Sequence, residues 1–230
     1  MGLDTLKEAN PGEKRYQNNP NYAAMVQHMD ENVGRVIDCL TELNLDEKTV
    51  LIFTSDNGGK GSVTSNYPLK GMKHNLDEGG IRVPLIVRWA GQTKPGSISD
   101  IPLISNDFYP SFLEFAGAPL RPEQHMDGLS FKDLLLAKTS QLDREAIFWH
   151  YPHSRMEGAV RKGDFKLLLN YKTGESQLYN LREDISETKD LSSQYPEKII
   201  DMEKLLKGWL KQVDAKFPKE LCVEIKVSVN

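Results

Sequence analysis

The chain has 230 residues, with 29 Lys plus Arg against 33 Asp plus Glu, a formal net charge of −4, and 39% hydrophobic residues. That length fits one large domain or two modest ones, and the composition is that of a globular chain, neither disordered nor fibrous. The acidic balance excludes the overall basic footprint of a nucleic-acid partner, and apolar runs such as Thr49–Thr54 fall far short of the roughly 18 residues of a membrane span.

Residues 1–19 are polar, with Asn10-Pro11-Gly12 and Asn18-Asn19-Pro20, and are expected to form a loop or loose arm. Met1–Glu8 carries acids and no apolar stretch, so it does not resemble a signal peptide, and Thr5-Leu6 breaks the myristoylation pattern. A helix is expected next, capped by Asn19 with Pro20 at its first position. Tyr22, Met25, Val26, Met29, Val33, Val36, Ile37, Leu40 and Leu43 form a stripe expected to pack against a core. Thr49–Thr54 is continuous and β-rich, as in a strand covered on both faces. It stops at Ser55-Asp56-Asn57-Gly58-Gly59, and a Gly-, Ser- and Asn-rich loop runs to about residue 80. Ile81–Trp89 reads as a second buried strand, with Pro84 implying an edge or bulge. Ser105–Ala116 reads as a helix stopped by Gly117.

After about residue 138 the texture changes. Ala146–Tyr151, Gly158–Arg161, Phe165–Leu169 and Ser176–Leu181 are short β-like runs separated by turn signals, predicting a small antiparallel meander. A last helix is expected from Pro196 to Asp214, its lysines forming a solvated outer face. The two cysteines, Cys39 and Cys222, stand far apart with no metal-ligand spacing. Two free thiols are expected, with one disulfide between them as the alternative.

Two segments carry candidate chemistry. Asp56 and Asn57 end a strand and offer a carboxylate and a carboxamide oxygen, hard donors suited to Ca²⁺ or Mg²⁺. The bland alternative is a tight turn using local hydrogen bonds. Lys70–Pro84 places lysines, an arginine and a histidine on a loop that returns to the sheet, where a cation beside a metal would stabilise charge on a transferring oxyanion. The alternative is a charged surface loop. His150 and His153 follow a predicted strand and could bind anions or shuttle protons, or else pack beside aromatic rings. His28 and His125 are read as structural.

Taken together and in order, Thr49–Gly58, Pro68-Leu69-Lys70-Gly71-Met72-Lys73 and Glu78-Gly79-Gly80-Ile81-Arg82-Val83-Pro84 resemble the sulfatase family of the alkaline-phosphatase-like superfamily. The likeness extends to Met126-Asp127-Gly128-Leu129-Ser130, Val160–Leu167 and Leu178-Tyr179-Asn180-Leu181, and covers about residues 20–215, the later part of a sulfatase. It implies an α/β fold: part of an alkaline-phosphatase-like sheet sandwich over 1–138, a small antiparallel sheet with a helix over 139–218, and a tail over 219–230. It implies hydrolysis of sulfuric esters, with Ca²⁺ (or Mg²⁺) held by Asp56 and Asn57. It also implies Lys73 as the lysine that contacts sulfate and the leaving oxygen, and Glu78 and Arg82 as scaffold. The family's formylglycine is made from a Cys or Ser in Cys/Ser-x-Pro/Ala-x-Arg, and no such motif occurs in residues 1–230. The chain alone is therefore expected to turn over nothing.

The sequence departs from the family pattern at Lys70 (often Arg), Met72 (often Gly), His74-Asn75 (usually a small pair) and Asp184-Ile185-Ser186-Glu187, which lacks a common proline. Alternatives are a phosphodiesterase or phosphonate hydrolase of the same superfamily, or a non-catalytic fragment or binding module. Expected partners are a sulfate-ester substrate and either a second copy or an upstream complementary half. Localisation is left open: the family is often periplasmic, secreted or lysosomal.

Overall fold

The computed structural model describes residues 17–218. Cys222, the 219–230 tail and most of the expected N-terminal arm lie outside the described residues. The chain divides into two compact units, one made of residues 1–24, 55–83 and 145–230, the other of residues 25–54 and 84–144.

The first unit is built on the expected meander: β3 (Ile147–Tyr151), β4 (Glu157–Lys162), β5 (Phe165–Asn170) and β6 (Ser176–Asn180) form an antiparallel sheet in that order. Helix α5 (Pro196–Gln212) covers one face, setting Met202, Leu206 and Leu210 on Val160, Leu167, Leu169 and Leu178. Strand side chains alternate between faces, so Ala159, Leu168 and Tyr179 point the other way, where Leu76 from the 55–83 segment joins them. Coverage on both faces explains why Lys166, Leu167, Leu168 and Leu169 are all buried in β5.

In the second unit, helix α1 (Pro20–Glu42, its first turn in the first unit) begins where expected, and Asn19 Oδ1 accepts the Tyr22 N–H at 3.1 Å. Its apolar stripe differs from expectation. No residue of α1 is buried, and Met25 and Val36 are 68% and 54% exposed, because no described element lays an apolar layer over them. Strand β1 (Val50–Thr54) is likewise not covered on both faces. None of its residues is buried, and it pairs only with β2 (Leu85–Trp89), antiparallel, with Ile52 opposite Val87.

The second strand is also shorter than expected. Glu78–Ile81 forms a helical turn, α2, and the strand starts after Pro84. The turn forms because Gly80 and Arg82 donate to Asp77 O and Glu78 O, while Pro84 disfavours helix at Val83. A short 3-10 turn and α3 (Phe108–Phe115) supply the expected helix, and Phe115 packs on Trp89 with centroids 4.8 Å apart. Helix α4 (Lys132–Leu135) follows Phe131, which packs edge-on against Phe108 and Phe115.

This unit is organised by a buried polar residue. The fully buried Asp107 carboxylate accepts the Ile104 and Leu129 backbone N–H groups, each at 2.9 Å, and pairs with both terminal nitrogens of Arg144. Gly128 lies against Asn106, where a Cβ would come within 2.2 Å of a carbonyl oxygen. Cys39 is an exposed free thiol.

Leu206 is fully buried between α5 and the sheet. Leu206→Ala is expected to cost about 2–5 kcal/mol, read as a lowered urea midpoint at unchanged slope.

Candidate functional site

The Asp56–Gly59 turn and the 69–82 loop are two segments of sequence but one piece of structure. Gly58 donates its N–H to Gly80 O at 2.9 Å, and Lys73 donates its backbone N–H to Gly59 O at 3.1 Å. Gly79 donates to Lys70 O at 2.7 Å. Backbones approach this closely because side chains are absent. A Cβ on Gly58 would lie 1.8 Å from Gly79 O, and one on Gly79 2.5 Å from the Lys70 and Gly71 carbonyl oxygens. The Asn66 carboxamide completes the clamp, accepting from Gly59 N–H at 2.9 Å and donating to Gly59 O and Gly71 O.

Asp56 is exposed and Asn57 half-buried. They are in direct contact, with Asn57 Nδ2 donating to Asp56 Oδ1 at 2.5 Å. Lys73, held by its backbone two residues beyond that pair, is half-buried, and its ammonium has no ion pair or hydrogen bond among the described residues. Lys70 differs. Its Nζ lies 3.2 Å from Asp77 Oδ1 and 3.2 Å from the Tyr179 hydroxyl. Burial disfavours the Lys70 ammonium, yet the Asp77 charge and the Tyr179 hydroxyl more than offset it and hold its pKa above the usual lysine range. Of the two lysines in the loop, Lys70 is engaged in structure and Lys73 has no such partner among the described residues.

His150 and His153 are not brought together. His150 lies on the α5 side of β3, with Nδ1 2.8 Å from the Tyr171 hydroxyl, Nε2 2.9 Å from Lys216 O and its ring edge-on to Phe217. His153 is exposed and meets the Tyr151 ring edge-on. Tyr151 points to the loop face, its hydroxyl 3.5 Å from His74 Nδ1. The sequence places His74 in this charged loop without giving it a substrate role. It stands at φ 77°, and histidine is among the residues that tolerate this region.

Behind the loop is a buried cluster of charges. Lys166, fully buried in β5, lies 2.9 Å from Glu78 Oε1 and 2.9 Å from Glu187 Oε1. The other Glu187 oxygen accepts the Glu78 backbone N–H at 2.7 Å, and Arg82 reaches Glu78 at 3.5 Å. Glu78 and Arg82 are thus in contact, and Glu78 anchors the loop to the sheet. Burial pushes the Glu187 carboxyl above its usual pKa, against the pull of Lys166 and the Glu78 N–H.

Removing the shared cation leaves two buried carboxylates facing each other, so Lys166→Met is expected to destabilise the fold by about 3–5 kcal/mol in urea unfolding. A raised native pKa means that above pH 4.5 the native state binds a proton at Glu187 that the unfolded chain has released. That contribution is present below 4.5 and is lost as pH rises through the native value. Wild-type stability relative to Glu187→Gln is therefore expected to fall over that window, measured by urea unfolding from pH 4.5 upward.

Among the described residues no group of three or more His, Cys, Asp or Glu is placed to hold a metal ion. The Asp56–Asn57 pair offers a carboxylate and a carboxamide, donor types that suit a hard cation but are too few to make a coordination shell by themselves.

Comparison with known proteins gives this geometry a family. Residues 4–118 match the family described as Sulfatase, and residues 72–216 that described as N-sulphoglucosamine sulphohydrolase, C-terminal. A sulfatase of Formosa agariphila is 36% identical over 217 residues, covering 82% of this chain and 39% of its own length. Human steryl-sulfatase is 39% identical over 149 residues, 61% of this chain and 25% of its own. The crystal structure of Ps i-CgsB in complex with k-i-k-neocarrahexaose superposes with a TM-score of 0.75 at 31% identity, over 86% of this chain and 44% of that one. The chain thus spans less than half the length of each, and its fold is the corresponding part of the alkaline-phosphatase-like α/β architecture. On these matches, and on the order of motifs that the loop and turn carry, the chain belongs to the sulfatase family.

Proposed function

We propose that this chain carries the later half of a sulfate-ester hydrolase site, with Asp56 and Asn57 as calcium donors and Lys73 as the cation for the sulfate and leaving oxygens. The observation that carries the reading is the backbone bond from Lys73 to Gly59, which ties the available ammonium to the oxygen-donor turn.

Lys73 presents a compact ammonium with three N–H donors to an anionic oxygen. As the ester bond breaks, negative charge grows on the leaving oxygen, and a positioned cation stabilises it more than it stabilises the ground state. Rotation of the Asn57 carboxamide would set its oxygen beside the Asp56 carboxylate, an acceptor pair facing one cation. A bound calcium ion would screen the sulfate charge and fix its orientation. The nucleophile lies outside this reading, because no Cys or Ser of residues 1–230 stands in the required motif. The names of the relatives and the ligand of the structural neighbour point to a sterol sulfate in one case and a carrageenan oligosaccharide in the other. The shared element is the ester rather than the alcohol, and the proposal is confined to that.

Calorimetric titration of the full chain with Ca²⁺ should show binding with Kd on the order of 10⁻³ M, as fits an incomplete shell. Asp56→Ala should abolish it and Lys73→Met should retain it. The same preparation should release no product from an aryl sulfate. Calcium affinity indifferent to Asp56→Ala would remove the metal assignment, and turnover by residues 1–230 alone would remove the claim of an incomplete site.

A further inference from the structure

Lys73 sits on a loop whose two ends meet. Gly79 donates its N–H to Lys70 O at 2.7 Å, and the Lys70 ammonium lies 3.2 Å from Asp77 Oδ1. Main chain and side chains thus close a ring around residues 71–76. Within it, Asn75 donates its N–H to Met72 O at 2.9 Å, and the Asn75 carboxamide oxygen accepts the Met72 N–H at 3.3 Å. Asn75 Nδ2 donates to the second Asp77 oxygen at 3.3 Å. Asp77 therefore gives one carboxylate oxygen to the cation and the other to the loop. Gly71 leaves room for this: it stands at φ 82°, and a Cβ there would lie 2.9 Å from Asp77 Cβ.

The ring is also fixed to the sheet. Lys70 Nζ donates to the Tyr179 hydroxyl at 3.2 Å and stands 4.9 Å from the centre of that ring. Tyr179 is buried in β6, in one apolar cluster with Leu76. The Lys70 and Asp77 side chains are only 25% and 12% exposed. An ion pair so shielded is screened less than one on the open surface, and losing either partner leaves the other desolvated and unmatched. The chemistry proposed above uses neither residue, yet the two bracket the loop that carries Lys73.

We infer that Lys70 and Asp77 are positioning residues for Lys73. Their ion pair, braced by Tyr179, holds residues 71–76 in the shape that lets the Lys73 N–H reach Gly59 O at 3.1 Å. The root of the Lys73 side chain is thereby kept against the turn that carries Asp56 and Asn57. The Lys166 cluster anchors the far end of the loop through Glu78, while the Lys70–Asp77 pair shapes its crown. The inference rests on the reading of Lys73 as the cation for the ester, but the backbone it concerns can be measured without sulfate.

Two readouts on the full chain test it: exchange of the Lys73 amide proton, whose acceptor is Gly59 O, and the NMR shift of the Lys73 side chain on titration with inorganic sulfate. Lys70→Met removes the ammonium and keeps most of the stem. It should speed exchange at Lys73 by roughly tenfold and weaken the sulfate response there by a similar factor, while the amides of β3–β6 keep their protection. Lys70→Arg restores a cation and should return both readouts to those of the unaltered chain. Tyr179→Phe keeps the ring and removes the hydroxyl, and should move both readouts in the direction of Lys70→Met by a smaller factor. Unchanged exchange at Lys73 in Lys70→Met would overturn the inference, as would a Lys70→Arg chain that behaves like Lys70→Met. If Lys70→Met also unfolds β3–β6, Tyr179→Phe decides, and a Lys73 amide no faster than in the unaltered chain overturns the inference. An unaltered chain with no sulfate response at Lys73, but with faster exchange there in Lys70→Met, would leave the positioning standing and remove the reading of Lys73 as the anion-binding cation.

Discussion

A buried ammonium is stable only where anions and hydrogen-bond acceptors replace the water it has lost. Lys166 meets that condition through Glu78 and Glu187, two residues that lie far from it in the chain on either side. The arrangement fixes more than its own energy. Glu78 opens the helical turn, Gly79 and Gly80 follow it and lie against Lys70 and Gly58, and Lys73 reaches Gly59. Moving Glu78 by an ångström therefore moves the backbone around both the oxygen-donor turn and the available lysine. A hydrophobic triad of equal volume could match its stability, but it would lack the directional bonds that hold the loop in one register.

The two units solve the problem of order differently. In the first, a sheet covered on both faces buries a continuous set of leucines and valines, and the charged cluster lies against that core. In the second, order comes largely from one carboxylate. Asp107 gathers two backbone N–H groups and a guanidinium 37 residues away, holding the 3-10 turn, the Gly128–Leu129 segment and the Arg144 strand of chain together. Such a network is directional and specific, but it offsets little conformational entropy. The unit is thus well defined locally while remaining poor in apolar interior.

Much of this was visible in the residues. The N-cap at Asn19, the four-strand meander and the last helix follow from local signals, and the paired motifs around Asp56 and Lys73 have the spacing of one family. What the sequence did not disclose depends on distant partners. Lys166 looks like an ordinary polar position in a strand until the segment carrying Leu76 covers its face. Glu187 looked like a residue in a motif lacking its proline, although it receives the Glu78 N–H. His150 and His153 are three residues apart, yet strand pleat and the turn after Tyr151 send them to different surroundings. The incomplete burial of α1 and β1 was equally hidden, since periodicity reveals that a face is apolar and not how fully it is covered.

The Asn66 clamp has a consequence for how the region can vary. One carboxamide imitates a stretch of neighbouring strand, offering an acceptor to Gly59 N–H and donors to two carbonyl oxygens. Aspartate has the acceptor without the donors, and glutamine holds the same groups one methylene farther out. The excursion between Gly59 and Asn66 is therefore a stitched loop: its two ends are sewn together at one point, so changes of length or shape within it are absorbed before they reach the residues on either side.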